Sequence, residues 1–513
     1  MKKPNILIFM TDQQRACSVL PGDPYKAITP ALDQFRKQAV TFRRAYGPSP
    51  HCCPARASFM TGLMPTQHGV WNNVNVANAI SRGLKENIRP WSMDLKDAGY
   101  RMLFAGKWHV SNFLQPCEYG WEHVYPESMC CGEGLTPDQQ EVEAAGRELR
   151  LLEKSAVEAR TGLRVKGEVR REGLTPYIHY GTSDEALLRH YFGNGDDENP
   201  FNDKTVVEAS LKKLGSLEAG KPWCFYVGTL GPHDPYIPPK RFLDLYEGME
   251  FPLPDTFDDS MRDKPALYRR TRDRFKQLSR EEHQTAIKHY LAFCSYEDWL
   301  FGQLIEKLKE RGEYDDTLIL YVSDHGDYLG DHGLWCKGLP SFLSCYHVPA
   351  IMKLPGQTKG IERNEMISLC DFAPTLLEIS GVKNKSNFSG SSLLPFAIQH
   401  SIPKEWRTAL FFQSNGNETY GIQRSILTDK WLFVFNGFDY DELYDLENDP
   451  GQMKNLASNP VYEPVKKEMY TRIWKFGLEH DENIMSDYIM TALADYGPGL
   501  ALKNTDTNER SLA

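Results

Sequence analysis

Cys52, Pro54 and Arg56 stand at alternate positions in the run His51-Cys52-Cys53-Pro54-Ala55-Arg56-Ala57-Ser58-Phe59-Met60-Thr61-Gly62, which reads as a turn entering a helix. Proline suits the first helical turn, where the N–H it lacks has no partner to lose. Cys52 then lies at the positive end of the helix dipole, a place that binds anions and activates thiols. Arg56, one turn on, offers a forked pair of donors to an oxyanion. The chemistry implied is a reactive sulfur beside an anion site. Taken alone, three fixed positions describe a buried cysteine beside a helix-starting proline just as simply, so the rest of the chain has to decide.

Such residues need elements to hold them. Short apolar runs at Asn5–Met10, Arg101–Ala105, Trp223–Val227 and Thr317–Ser323 predict strands buried on both faces. Helical patterns at Ala31–Val40, Ser92–Ala98, Lys204–Leu214 and Ser279–Lys309 lie between them. The last opens Ser279-Arg280-Glu281-Glu282, a capping box, and carries an apolar stripe through Ile287, Leu291, Cys294, Phe301, Ile305 and Leu308. Asp298 falls on that stripe and reads as a hydrogen-bonded structural carboxylate. The alternation predicts an α/β domain with a largely parallel central sheet flanked by helices. In open α/β sheets ligands bind at the carboxyl ends of strands. Four predicted strands have titratable residues there: Asp12; Lys107 and His109; His233; Asp324 and His325, with Lys337 in the loop beyond.

Composition narrows the partners. The 513 residues exceed the usual single domain, and a formal charge of −10 disfavours nucleic acid or an anionic membrane. An anionic substrate must then be drawn by a local basic site. No stretch is long enough to span a bilayer. Met1-Lys2-Lys3 ahead of Asn5–Met10 imitates a signal peptide, but the run is short and leads directly into Asp12, so a cytoplasmic location is expected. Eleven cysteines without regular spacing predict reduced thiols, and Cys130-Cys131 lacks the second pair of a zinc site.

The region 118–200 is charged, helix-prone over Asp138–Arg171, and reads as an insertion serving a substrate rim or a homo-oligomer contact, or equally as a solvated helical excursion. Beyond Pro395, short runs at Thr408–Phe412, Ser425–Thr428, Trp431–Phe435 and Glu442–Asp445 predict a small antiparallel sheet. The expected division is a catalytic domain over 1–395 and a smaller α+β domain over 396–513.

The cysteine motif resembles the Cys-x-Pro-x-Arg signature of type I, formylglycine-dependent sulfatases of the alkaline phosphatase superfamily. Gly106-Lys107-Trp108-His109, Pro232-His233, Ser323–Gly330, Val348-Pro349-Ala350-Ile351, Asp371–Leu377 and Glu442–Pro450 resemble further family blocks, in the family order. The resemblance implies an alkaline-phosphatase-like fold and a nucleophile made when a formylglycine-generating enzyme oxidises Cys52. Cys53 does not fit, because Ala55 and Ala57 stand where its proline and arginine would be. Asp12, Gln13, Asp324, His325 and the modified Cys52 would face one divalent cation, Ca²⁺ first, with Mg²⁺ or Mn²⁺ as alternatives. Gln13 occupies a position that is a second aspartate in many sulfatases, which removes a charge.

Arg56, Lys107 and Lys337 would neutralise the sulfuryl oxygens. His233 or Lys337 would protonate the leaving oxygen, and His109 would take a proton from the hydrated aldehyde to release sulfate. Asn73 would contact substrate or simply hold a turn. His68 and His332 are expected to brace loops. Trp71, Trp108 and Trp335 would stack on a substrate ring or belong to the core. The leading expectation is hydrolysis of a small anionic ester, a sugar or aryl sulfate. A phosphonate monoester or phosphodiester hydrolase of the same family is the alternative, disfavoured by Lys107 and His109. A catalytically silent metal-binding interaction protein is the reading from another class.

Overall fold

The computed structural model describes residues 3–125, 198–398, 403–482 and 491–502, apart from positions 77, 274, 277, 384, 404 and 418. The four predicted strands form at the centre: β1 (Asn5–Thr11), β3 (Arg101–Gly106), β5 (Trp223–Gly228) and β6 (Thr317–Ser323). They pair in parallel in the order β3-β5-β1-β6, with β1 between β5 and β6. The sheet is completed by β2 (Val40–Tyr46), β4 (Glu122–Tyr125), β7 (His347–Val348), β8 (Ala350–Lys353) and β9 (Ile361–Ser368). β4 extends the parallel set beside β3, β8 runs antiparallel to β6 and β2, and β9 runs parallel to β2. A largely parallel sheet is what continuous apolar strands require, since such strands must be covered on both faces.

Two expectations need correction. The predicted helix Ala31–Val40 is shorter, Pro30–Arg36, and Val40 instead begins strand β2. Val40 and Thr41 are stiff at χ1 and favour extended backbone once β8 and β9 supply pairing partners. The predicted insertion begins too early, because Glu122–Tyr125 is a sheet strand in register with Leu103–Ala105. The helix-prone stretch Asp138–Arg171 and Cys130-Cys131 lie outside the described residues.

Side chains alternate across β1, so the core divides into two layers. Ile6, Ile8 and Met10 pack with Phe59, Trp91, Phe104 and Phe372 on one face. Leu7 and Phe9 pack with Phe301, Leu304 and Tyr321 on the other. Each fully buried side chain of this size contributes roughly 1.5–3 kcal/mol. The long helix Arg280–Glu310 covers the second face and begins with the capping box read from sequence: Ser279 Oγ accepts from Glu282 N, and the Glu282 carboxylate accepts from Ser279 N. Asp298, on its buried stripe, accepts from Ala31 N at 3.0 Å and Leu32 N at 2.7 Å and so caps the Pro30–Arg36 helix.

A separate antiparallel sheet follows, in the order β10 (Leu410–Gly416), β11 (Tyr420–Leu427), β12 (Trp431–Asn436) and β13 (Glu442–Asp445). The helix Glu463–Glu479 packs on it through Tyr470 and Trp474 against Phe433 and Phe435. Phe412 stacks on Tyr346 and ties this sheet to the larger one. Eight described cysteines are free and buried, as expected, but Cys117 is disulfide-bonded, so the expectation of reduced thiols fails there. Among the described residues no helix is long and apolar enough to cross a membrane.

Candidate active site

The Cys52–Thr61 helix is buried along its whole length and points its N-terminus at the ends of β1 and β6. His51, at the N-cap, gives no side-chain capping bond. Asn73 fills that gap from a neighbouring loop, its Oδ1 accepting from Cys53 N at 3.1 Å. A helix start leaves its first N–H groups unsatisfied, and a side-chain oxygen at this point settles one of them.

Four ligand-type atoms meet above the helix. Those of Asp12, Cys52, Asp324 and His325 lie within 4.8 Å of one another, and all four residues are buried. Cys52 Sγ is 3.1 Å from His325 Nε2 and 3.7 Å from Asp12 Oδ1. His325 Nδ1–H donates to Gly326 O at 2.9 Å, which leaves the Nε2 lone pair facing the cluster. Arg56, fully buried, bridges the carboxylates: Nε donates to Asp324 at 2.7 Å and an Nη donates to Asp12 at 3.0 Å. Its other arm donates to Tyr226 OH at 2.8 Å. Lys107 Nζ donates to the same Asp12 oxygen. Arg56 therefore spends its fork on the two carboxylates and Tyr226. The donor set, mostly hard carboxylate oxygen with one imidazole, fits a hard divalent cation. The Cys52 sulfur stands where the oxygen of an oxidised residue 52 would stand.

Burial and the Cys52 sulfur push the Asp12 carboxyl up, but Lys107, His233 and Arg56 together outweigh them and hold it below the usual range. Burial also pushes the Cys52 thiol up, yet Lys107, Lys337 and His325 hold it well below its ordinary value. Cys53 is the contrast: burial and neighbouring Cys52 drive its thiol up, and its sulfur accepts from Val74 N. One helical step separates an activated sulfur from an inert one.

The remaining predicted residues surround this centre. Lys337 Nζ donates to His233 Nε2 at 2.8 Å, and His233 Nδ1–H donates to Asp234 O at 2.6 Å. His233 lies between two cis prolyl bonds, Gly231–Pro232 and Asp234–Pro235. His109 interacts with the Cys52 thiol and bonds Asn75 through Nε2. Burial, then the charge on Lys107, pushes its imidazole down, toward the neutral form a base requires. Gln13 reaches the centre but its amide is engaged elsewhere: Oε1 accepts from Lys337, and Nε2 donates to Asp234 and Asp327.

His68 and His332 brace loops as expected, through Ser58 and Asp259. Trp71, Trp108 and Trp335 are buried; Arg424 stacks over Trp71, and the other two indoles donate to Leu114 O and His283 Nδ1. Of the two roles foreseen for them, this is the core one. Sequence reasoning missed Tyr226, Asn75, Asp234 and Asp327. Asp234 was legible beside His233, but a tyrosine inside an apolar strand and an asparagine in a polar loop carry no local sign of the site.

The chain is similar to known proteins over most of its length. Residues 4–382 match the family model described as Sulfatase, and residues 330–478 match N-sulphoglucosamine sulphohydrolase, C-terminal. A choline-sulfatase of Rhizobium meliloti is 29% identical over 476 residues, covering 89% of this chain and 83% of its own. An arylsulfatase of Clostridium perfringens is 26% identical, covering 90% and 91%. Among solved structures, BT4656 in complex with D-glucosamine-2-N,6-O-disulfate has a TM-score of 0.70 at 20% identity, covering 94% of this chain and 99% of that one. A phosphonate monoester hydrolase from Silicibacter pomeroyi has a TM-score of 0.71 at 21% identity, covering 94% and 97%.

Proposed function

The chain belongs to the sulfatase family, and from that footing we propose that it hydrolyses a sugar or aryl sulfate monoester to alcohol and sulfate. The observation that carries the reading is the buried meeting of Asp12, Cys52, Asp324 and His325 at a helix N-terminus ringed by Arg56, Lys107, Lys337, His109 and His233. Asp12, Asp324 and His325, with the oxygen of residue 52, would hold the cation, Ca²⁺ by preference. Formylglycine made from Cys52 by a maturation enzyme would supply an oxygen nucleophile, and the cation would neutralise charge on the sulfuryl oxygens.

The chain's own residues do the rest. Lys107 and Lys337 present ammonium groups to the anionic ester, and Arg56 bridges the Asp12 and Asp324 carboxylates. Lys337 is held in its charged form: burial lowers it, but Cys52 and Asp12 raise it further. With Lys337 donating to His233 Nε2, this pair is placed to pass a proton to the departing alkoxide. His109, kept neutral, takes a proton from residue 52 so that sulfate leaves. The choline and aryl sulfatase relatives and the complex with a glucosamine disulfate support a small sulfated substrate. The phosphonate monoester hydrolase reading draws on Gln13 and on the structural likeness to that enzyme; Lys107 and His109 at the centre weigh against it. Free buried thiols support a cytoplasmic setting, against which the Cys117 disulfide speaks.

Two measurements test the proposal. Peptide mass spectrometry of protein from its native host is expected to find the aldehyde at position 52, with 53 left as thiol. Stripping divalent cations is expected to abolish turnover and lower stability, and Ca²⁺ at one hundred times its Kd to return about 2.7 kcal/mol. Faster hydrolysis of a phosphonate monoester than of every sulfate ester tried would move the assignment to the alternative.

A further inference from the structure

The loop over residues 72–76 is held by several hydrogen bonds. Asn73 Oδ1 accepts from Cys53 N, and Asn73 N donates to Asn417 Oδ1 at 3.0 Å. Asn72 Nδ2 donates to Asn417 O, and Asn72 Oδ1 accepts from Ile80 N. Arg82 donates to Val74 O at 2.8 Å and to Val76 O at 2.9 Å, clamping the backbone on both sides of Asn75. From this fixed backbone Asn75 sends Oδ1 to within 3.0 Å of His109 Nε2.

An amide oxygen can only accept, so the proton of the neutral imidazole sits on Nε2 and the lone pair on Nδ1. Nδ1 is buried and has no hydrogen-bond partner among the described residues. The ring interacts with the Cys52 thiol. His109 is also held at a φ of 53°, a left-handed conformation that a non-glycine residue adopts only when its surroundings impose it. Backbone and side chain are thus both set from outside.

We propose that Asn75 is a positioning residue that fixes His109 as the Nε2–H tautomer, leaving Nδ1 as the atom that takes the proton from residue 52. The inference rests on the sulfatase reading for the meaning of that proton transfer, though not for the tautomer itself. In the step, the Nδ1 lone pair binds the proton of the free hydroxyl on residue 52, that oxygen's electrons form the aldehyde C=O as the C–O bond to sulfate breaks and sulfate leaves, Nε2–H stays bonded to Asn75, and the imidazolium returns its proton to water.

The test uses the full-length protein with ¹⁵N-labelled histidine, the His109 signals being assigned by their loss in His109→Gln. Wild type and Asn75→Asp, which keeps an acceptor, are expected to show the Nε2-protonated pattern; Asn75→Ala is expected to show mixed tautomers. Asn75 is exposed, so the alanine variant should fold. In turnover, Asn75→Ala should lower kcat on the order of tenfold with KM little changed, and Asn75→Asp should restore it. A wild-type His109 protonated on Nδ1, or an Asn75→Ala variant with unchanged tautomer and kcat, would overturn the proposal. Failure of every sulfate ester to react would instead overturn the sulfatase reading, and the tautomer result would stand apart from it.

Discussion

Two histidines flank residue 52, and their bonding sets them to different work. His233 accepts a hydrogen bond from Lys337 at one nitrogen and donates to Asp234 O from the other. His109 meets Asn75 Oδ1 through Nε2, and its buried Nδ1 has no hydrogen-bond partner among the described residues. Their losses should therefore separate. With an activated aryl sulfate, His109→Ala is expected to give a burst of alcohol close to one equivalent per active site and then stall, because the second proton transfer lacks its base. Stopped-flow release of the phenol reads this directly, and undiminished steady-state turnover would rule the role out. His233→Ala should slow esters with poor leaving groups most, by roughly 10²–10⁴-fold, since those depend on protonation. A rate loss independent of leaving-group pKa would assign the proton to another group.

The elements place these residues through close approaches that tolerate little change. Gly106 ends β3 at a φ of +88°, and a Cβ there would stand 1.9 Å from Gly228 O on the neighbouring strand. Lys107 and His109 follow at once, so the contact sets where both emerge. Gly106→Ala should cost more than the roughly 1–2 kcal/mol of left-handed backbone, because strand separation must also give. Chemical denaturation reads the loss, and activity should fall with it even where the fold survives. Asp298→Ala acts at a distance from the site, removing the cap on the Pro30–Arg36 helix. It is expected to cost about 1 kcal/mol, with kcat unchanged. A stability loss of zero would mean that water replaces the carboxylate.

At the scale of the whole molecule, buried acids tie the layers together and make stability depend on pH. Asp203 accepts from Leu230 N and Gly231 N, at the loop that carries His233. Burial raises its carboxyl from 3.8 to about 7, and burial followed by the nearby Asp203 raises Glu297 well above its ordinary value. The folded protein thus holds protons that the unfolded chain releases above about pH 4. Stability is full below that point and is lost as pH rises toward 7, by up to roughly 1.4 kcal/mol per pH unit for each proton held. Glu297→Gln, which keeps the shape without the charge, should flatten this slope. Thermal melts across that window would show it, and an unchanged slope would place the protons elsewhere.

What the sequence determined by itself was the chemistry and the order of parts. Cys52, Pro54 and Arg56 announce themselves because helix starts obey local rules. Asp12, Lys107, His109, His233 and Asp324 announce themselves because an apolar strand ending in a charged residue is a local pattern. Asp298 was readable as structural for the same reason. The tertiary structure decided the rest, where residues far apart in sequence compete for one atom. Gln13 carries an amide oxygen whose partner no local pattern names; in the fold it accepts from Lys337, 324 positions away. Asn73 became a helix cap only because its loop folds over Cys53. Val40 joined a strand because β8 and β9 offered it partners. A hydrogen-bonding group announces in sequence what it can bind, but which partner it binds is settled only when distant segments are brought within 3 Å of it.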